Sequence, residues 1–378
     1  MHNLRNSKLI VGLAVLAVFA GAILHLSNRD LRKEPPQPAG SNTPSAIPHL
    51  LRKPEAAISV PETQELPMVD FDWRPVLTNH VAPPKLPREE VEKYLERNRR
   101  SAASLLAAYG ALRDTNYLWE AATNFPNDSR VQLSVLRRDL FPEERRKWLD
   151  LFKVSSPENP LANYLSARDY FQSGQSDLAL SEWLQAAAKP AFKDYAMEFK
   201  LDEEELNLDA GRASLQAKLS SNAWAEDLLP QLASLKALAQ DVAAMQKQYL
   251  DTGDSTSAEN LARAGLALAN DLRASDVDGV LIKQLVGNAI EAIVLSPFDP
   301  NVNYDFIDGK SPQQRLAELG ELKGTIRGLT QATRDALPTM TEAELLSYME
   351  RQRLYGEAEA MRWLQQRRSS MALPGPHN

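Results

Sequence analysis

The side chains that most often do chemistry are unevenly placed in this chain. Five histidines occur, His2, His25, His49, His80 and His377. All of them lie outside the stretch with sustained helical periodicity, roughly residues 88–371, and there is no cysteine anywhere. Within that stretch no Ser-His-Asp triad, Cys-His pair, His-Glu-x-x-His zinc site or two-His-one-carboxylate iron site can be built. Neither glycine-rich phosphate loop, G-x-x-x-x-G-K-[ST] or G-x-G-x-x-G, is present. No catalytic, cofactor-binding or metal-ligating residue is therefore assigned, and no cofactor is expected.

What remains for catalysis is carboxylate chemistry, which needs only two positioned acids, as in glycoside hydrolysis on an α/α fold. Asp299, Asp305 and Asp308 cluster in sequence around Tyr304 and Phe306. Sugar sites use aromatic platforms, however, and aromatics make up 7% of the chain. These aspartates read first as turn and cap residues. The run Asp202-Glu203-Glu204-Glu205 reads as a solvated helix face, since four consecutive acids point around a helix and cannot converge on one ion.

The elements that would position such residues begin with an N-terminal apolar run. Residues 1–8 form a short tail carrying Arg5 and Lys8, followed by Leu9–Leu26, LIVGLAVLAVFAGAILHL. That length just suffices for a membrane-crossing helix, for which about 20 residues are needed. A signal peptide cleaved near Ala22 is the competing reading. Either places the C-terminal bulk outside the cytoplasm, with the N-terminus cytoplasmic if the segment is an anchor. Residues 27–87 read as a disordered, semi-rigid linker, because twelve of the 24 prolines fall between Pro35 and Pro87. Its one apolar island, Met68-Val69-Asp70-Phe71-Asp72-Trp73, is expected to pack along its own domain or dock on a partner.

From residue 88 onward the periodicity is helical. Val91, Tyr94, Leu95, Ala102, Leu105, Leu106 and Tyr109 share one face over five turns. Further apolar stripes follow through Trp148, Leu149 and Phe152, and through Leu228, Leu232, Leu235, Leu238, Val242 and Met245. Val277–Leu295 reads as one buried helix. Thr256 with Glu259, Ser311 with Gln314 and Thr341 with Glu344 have capping-box spacing. Gly320, Gly324 and Gly328 recur every four residues, which predicts close approach of another helix. One helical stretch is expected from Thr341 through Leu345, Met349, Leu354 and Trp363, and residues 372–378 read as a disordered tail.

The most organised stretch is Pro160–Ala191. Tyr164, Ala167 and Phe171 form one short helical stripe; Ala179, Trp183 and Ala186 form another, across Ser173-Gly174-Gln175. Counted from Pro160, the residues Ala167, Tyr170, Gly174, Ala179, Trp183 and Ala186 stand where the tetratricopeptide (TPR) pattern places its packing residues. The unit resembles that helix-turn-helix repeat, although Asn163 and Ser166 replace its usual Trp and Leu. Pro126, Pro157 and Pro190 are spaced by 31 and 33 residues, close to the same period. Tyr249, Gly253 and Ala258 repeat the offsets of Tyr170, Gly174 and Ala179, with Ala262 and Gly265 at the places of Trp183 and Ala186.

The expectation is an all-α protein: a degenerate TPR-like solenoid or helical bundle behind an anchor and a linker, with repeats over 88–191 and a further helical domain over 192–371. The resemblance implies a binding groove lined by the first helix of each pair, with Asn163, Ser166, Arg168 and Asp169 as its candidate lining. A net charge of −7 argues against nucleic acid as the main partner. The function expected is non-catalytic protein–protein interaction by a membrane-tethered scaffold, in a bacterial cell envelope. The alternatives are a carboxylate-only hydrolase and a purely structural envelope spacer.

Overall fold

The computed structural model describes residues 71–78, 82–221, 223–274 and 280–372. The expected tail, anchor and linker through residue 70, and the C-terminal residues from 373, lie outside the described residues. The described chain is all-α, and its one extended pairing is an isolated bridge between Tyr304 and Lys310. Among the described residues no helix is long and apolar enough to cross a membrane.

The helices, in order, are α1 (Arg74–Thr78), α2 (Arg88–Arg97), α3 (Ala102–Leu112), α4 (Thr115–Asn124), α5 (Ser129–Arg138) and α6 (Arg145–Ser155). Then come α7 (Pro160–Gln172), α8 (Ser176–Ala187), α9 (Ala196–Asp209), α10 (Ser214–Ser220) and α11 (Ala223–Asp251). The chain finishes with α12 (Ser255–Arg273), α13 (Leu281–Leu295), α14 (Pro312–Ala336), α15 (Glu342–Tyr355) and α16 (Glu357–Ala372).

Local chemistry sets most of these boundaries. Asp128 accepts from the amides of Arg130 and Val131 and starts α5; Asn159 accepts from Leu161 and precedes Pro160 at the first position of α7. Ser311–Gln314 and Thr341–Glu344 form both halves of their capping boxes. The third expected box does not form. Asp254 caps α12 instead, accepting from Ser257, because the turn at Gly253 brings that carboxylate rather than the Thr256 hydroxyl over the free amides.

Two expected continuous helices are broken. The stripe from Val91 to Tyr109 is split into α2 and α3, with Arg99 and Arg100 both in the left-handed region. Arg100 is held there by a two-pronged hydrogen bond to Glu120 and a third bond to Glu92. The last stretch is split into α15 and α16 at Gly356, whose φ of 81° ends the first helix. Both breaks keep the apolar period, so the pattern on either side gave no sign of them.

Consecutive helices pair as hairpins: α3 with α4, α5 with α6, α7 with α8, α11 with α12. The hairpin α11–α12 packs on α7–α8 like on like, α11 against α7 and α12 against α8, with α9 and α10 inserted between them in sequence. One apolar core runs from Leu86 to Val294 and does not part at residue 191; Trp183, Phe199, Leu228 and Leu261 belong to it together. A second core joins α10, Leu281 and α14–α16.

That second core also contains Trp73, Val76 and Leu77 of α1. The described end of the proline-rich segment is thus folded, as Leu86 in the main core also shows. Phe71 and Trp73, the described end of the apolar island, pack on their own domain, because burying an indole together with Val76 and Leu77 outweighs the local bias of the prolines.

The glycine reading is corrected too. Gly320, Gly324 and Gly328 are exposed, with nothing within 4 Å of where a Cβ would stand. Close helix contacts occur instead between α12 and α13, where a Cβ on Gly265 would meet Val294 at 2.6 Å and one on Gly287 would meet the Ala269 oxygen at 2.7 Å.

Candidate functional site

The hairpin α7–α8 is closed by the residues the spacing singled out. Gly174 takes a φ of 74°, and the amide of Gln175 donates to the Tyr170 oxygen at 2.9 Å. The second hairpin closes in the same way: Gly253 has a φ of 83°, and the amide of Asp254 donates to the Tyr249 oxygen at 2.8 Å. The parallel extends to side chains. Ser173 donates to the oxygens of Asp169 and Tyr170, and Thr252 donates to those of Gln248 and Tyr249.

Ala167, Ala179, Trp183 and Ala186 are fully buried, the small residues letting α7 and α8 approach around Trp183. The indole meets the Tyr164 ring edge-on at 5.5 Å. Its Nε1 reaches across to α12 and donates to the Leu261 oxygen at 3.2 Å. Tyr170 is half-buried beneath the Arg146 guanidinium, 3.8 Å from its ring centroid.

The four groove candidates have other duties. Asn163 and Ser166 are 2% and 0% exposed, so the expectation that they line an open surface is corrected. Both turn toward Glu182 on α8, at 2.6 Å and 3.0 Å, and Lys153 on α6 completes the cluster at 2.7 Å. Polar residues stand at these two positions because a buried carboxylate needs donors. Burial alone would lower the Lys153 pKa, but its bonds to Glu182 and Asp150 outweigh that and raise it.

Asp169 binds Arg145 and Arg146 of α6. Arg168 is the candidate that faces α11, on the side where the expected groove would have its inner wall, and it pairs there with Asp241. That wall is occupied by the chain itself. Helix α11 lies against α3, α5 and α7, and α9 lies against α2, α3 and α11.

The acidic run sits within this filling, and its reading as a solvated face is corrected. Asp202 bonds to Arg130 of α5 at 2.9 Å, and Glu204 pairs with Lys218 of α10 at 2.6 Å. Glu203 is buried against α3 at Gly110, where a Cβ would fall 2.3 Å from its carboxylate oxygen. Glu205 alone of the four is exposed. The acids point around the helix as geometry requires, but α9 is surrounded on more than one side. Burial raises the Asp202 pKa to about 6 in spite of Arg130.

Four further charged side chains are buried that no motif marked. Lys283 lies 2.7 Å from Asp194, both almost wholly enclosed. Burial opposes the Asp194 charge, yet Lys283, Arg137 and the Ala196 amide together hold its pKa below the usual value. Glu291 receives Arg273 and Arg315. Glu357, on the second core, accepts the amide of Leu281 at 2.9 Å. A signal did exist for two of them: Lys283 and Glu291 are the only charges in LIKQLVGNAIEAIVL, a largely apolar stretch.

The aspartates of the 299–308 loop serve its turns. Asp299 accepts from the Asn301 amide, Asp305 begins a short 3₁₀ turn, and Asp308 takes a left-handed φ of 58°. Phe298, Tyr304 and Phe306 pack on one another with centroids 5.0–5.3 Å apart, the two phenylalanines buried and Tyr304 partly so rather than laid open as a platform. Among the described residues no group of three acidic or histidine side chains is arranged to hold a metal ion.

No protein-family model, curated protein or solved structure matches the chain.

Proposed function

We propose that this protein is a membrane-tethered, non-catalytic interaction scaffold built from TPR-like helical hairpins, with residues 9–26 as its anchor and the proline-rich segment as a spacer. The observation that carries this reading is the repeated turn. Two hairpins share the same glycine conformation and closing hydrogen bonds, and they stack like on like. Stacked helix pairs bury apolar surface between neighbours and leave extended surfaces, usually the concave one, free for a partner.

With the inner wall filled by α9 and α11, the outer helices are the surface left for a protein partner. Trp119 on α4 is 55% exposed and Val154 on α6 is 79% exposed, with Leu178 and Leu184 on α8 also turned to solvent. The test is crosslinking of the tagged full-length chain in its own membranes, comparing wild type with Trp119→Ser/Val154→Ser. A crosslinked protein lost in the double variant supports the scaffold. A wild type that crosslinks to nothing turns the reading to a structural spacer. Release of the chain from the membrane after cleavage near Ala22, seen by mass of the mature N-terminus, overturns the tether.

A further inference from the structure

Helix α13 begins without a cap of its own. The residue before it, Val280, has no side-chain oxygen, and the first amide, Leu281, is buried in the second core. The acceptor comes from elsewhere: Glu357, the first residue of α16, offers one carboxylate oxygen at 2.9 Å. Glu357 is 0% exposed, and its other oxygen has no hydrogen-bond partner. It follows Gly356, whose left-handed φ makes the joint between α15 and α16.

The surroundings are poor in compensation. On α9, Lys200 is the cation whose charge reaches Glu357; on α15 the facing titratable group is the buried Tyr348, and α13 presents only the Leu281 amide, a donor that does not titrate. Further off, Glu204 is paired with Lys218, and Glu350 with Arg353. A carboxylate enclosed with one donor is under-solvated, so its neutral form suits the docked state. Burial accordingly raises the Glu357 pKa from 4.5 to about 8, against the opposing effects of Leu281 and Lys200.

We propose that Glu357 is a proton-operated latch. Protonated, it seats the α15–α16 pair on the N-terminal end of α13. Ionised, it strands a charge in the second core, and the pair opens to let water reach it. Acidification therefore tightens the C-terminal unit on the body of the molecule, and a rise in pH loosens it.

Linkage gives the latch a signature. The open state releases the proton near its ordinary pKa and the docked state holds it to about 8. The opening constant should thus rise about tenfold per pH unit in between and level off above pH ~8. Amide hydrogen exchange on the full chain, corrected for intrinsic rates, reads this in peptides covering 281–290 and 342–372. Wild-type protection is expected to fall about tenfold per unit from pH 5.5 to 7.5 and to flatten by pH ~9. Glu357→Gln should be flat across the range. Wild-type protection that does not change over this range overturns the proposal, as does a Glu357→Gln chain that keeps the wild-type slope. If that variant does not fold, Lys200→Met serves: removing the facing cation should move the levelling-off to higher pH, and no movement, or movement downward, also overturns the latch.

Discussion

Trp183 on α8 donates its indole proton to the main-chain oxygen of Leu261 on α12, 3.2 Å away. Together with the Arg168–Asp241 pair, this bond joins the two hairpins whose turns match, and the indole that makes it is wholly buried. Trp183→Phe keeps most of the apolar volume and loses the donor, at an expected cost of about 1–2 kcal/mol. Trp183→Ala leaves a large cavity between α7, α8 and α12 and should cost about 3–5 kcal/mol. Urea unfolding of the two variants measures both. Equal losses would mean that the bond carries the whole effect and the packing none.

The glycines separate into two classes that a stability series resolves. At Gly320, Gly324 and Gly328 a methyl meets open space, so each change to Ala should stabilise by about 0.5–1 kcal/mol through helix propensity alone. At Gly287 the same change drives a methyl into the Ala269 oxygen and should destabilise by about 1–3 kcal/mol. Thermal unfolding midpoints moving in opposite directions are the expected result.

Glu182 and Lys153 form a largely enclosed pair to which Asn163 and Ser166 add hydrogen bonds. Lys153→Met leaves the carboxylate without its cation and should cost about 2–3 kcal/mol. In Lys153→Met/Glu182→Gln neither charge remains, and the loss should be smaller than the two single losses added, with a coupling of about 1–2 kcal/mol. A double-mutant cycle from chemical denaturation gives the number directly. Strict additivity would show that the two side chains do not sense one another.

Asp202 makes a prediction about pH. Its pKa is raised from 3.8 to about 6, mainly by burial, so the folded state holds a proton that the unfolded chain has already released. Its effect on stability is therefore most favourable below pH ~4 and declines as pH rises to about 6. Relative to Asp202→Asn, the wild type should lose about 1–3 kcal/mol of stability across that window and change little above it. Parallel melts of both chains between pH 4 and 7.5 provide the comparison, and a difference that does not vary with pH would place Asp202 in a better-solvated setting.

Apart from the breaks at Arg99–Arg100 and Gly356, the sequence carried most of the helices and the hairpin built on Tyr170, Gly174, Ala179 and Trp183, because each depends on contacts within about thirty residues. It also carried the relation of that hairpin to Tyr249, Gly253 and Ala258, since a tight turn needs a left-handed glycine wherever it occurs. Two caps, at Ser311 and Thr341, were legible for the same local reason, while the one at Asp254 was hidden by a competing box of equal spacing.

What surrounds each helix was decided only by the tertiary structure. Asn163 and Ser166 look like surface residues until α8 brings Glu182 against them; Asp202, Glu203 and Glu204 look solvated until α9 is enclosed by α3, α5 and α10. A glycine stripe on α14 looks like a contact and faces water, whereas single glycines on α12 and α13 are the true close approaches. Periodicity records that a face is buried, but the partner that buries it comes from a helix distant in sequence, and no spacing within one helix encodes that choice.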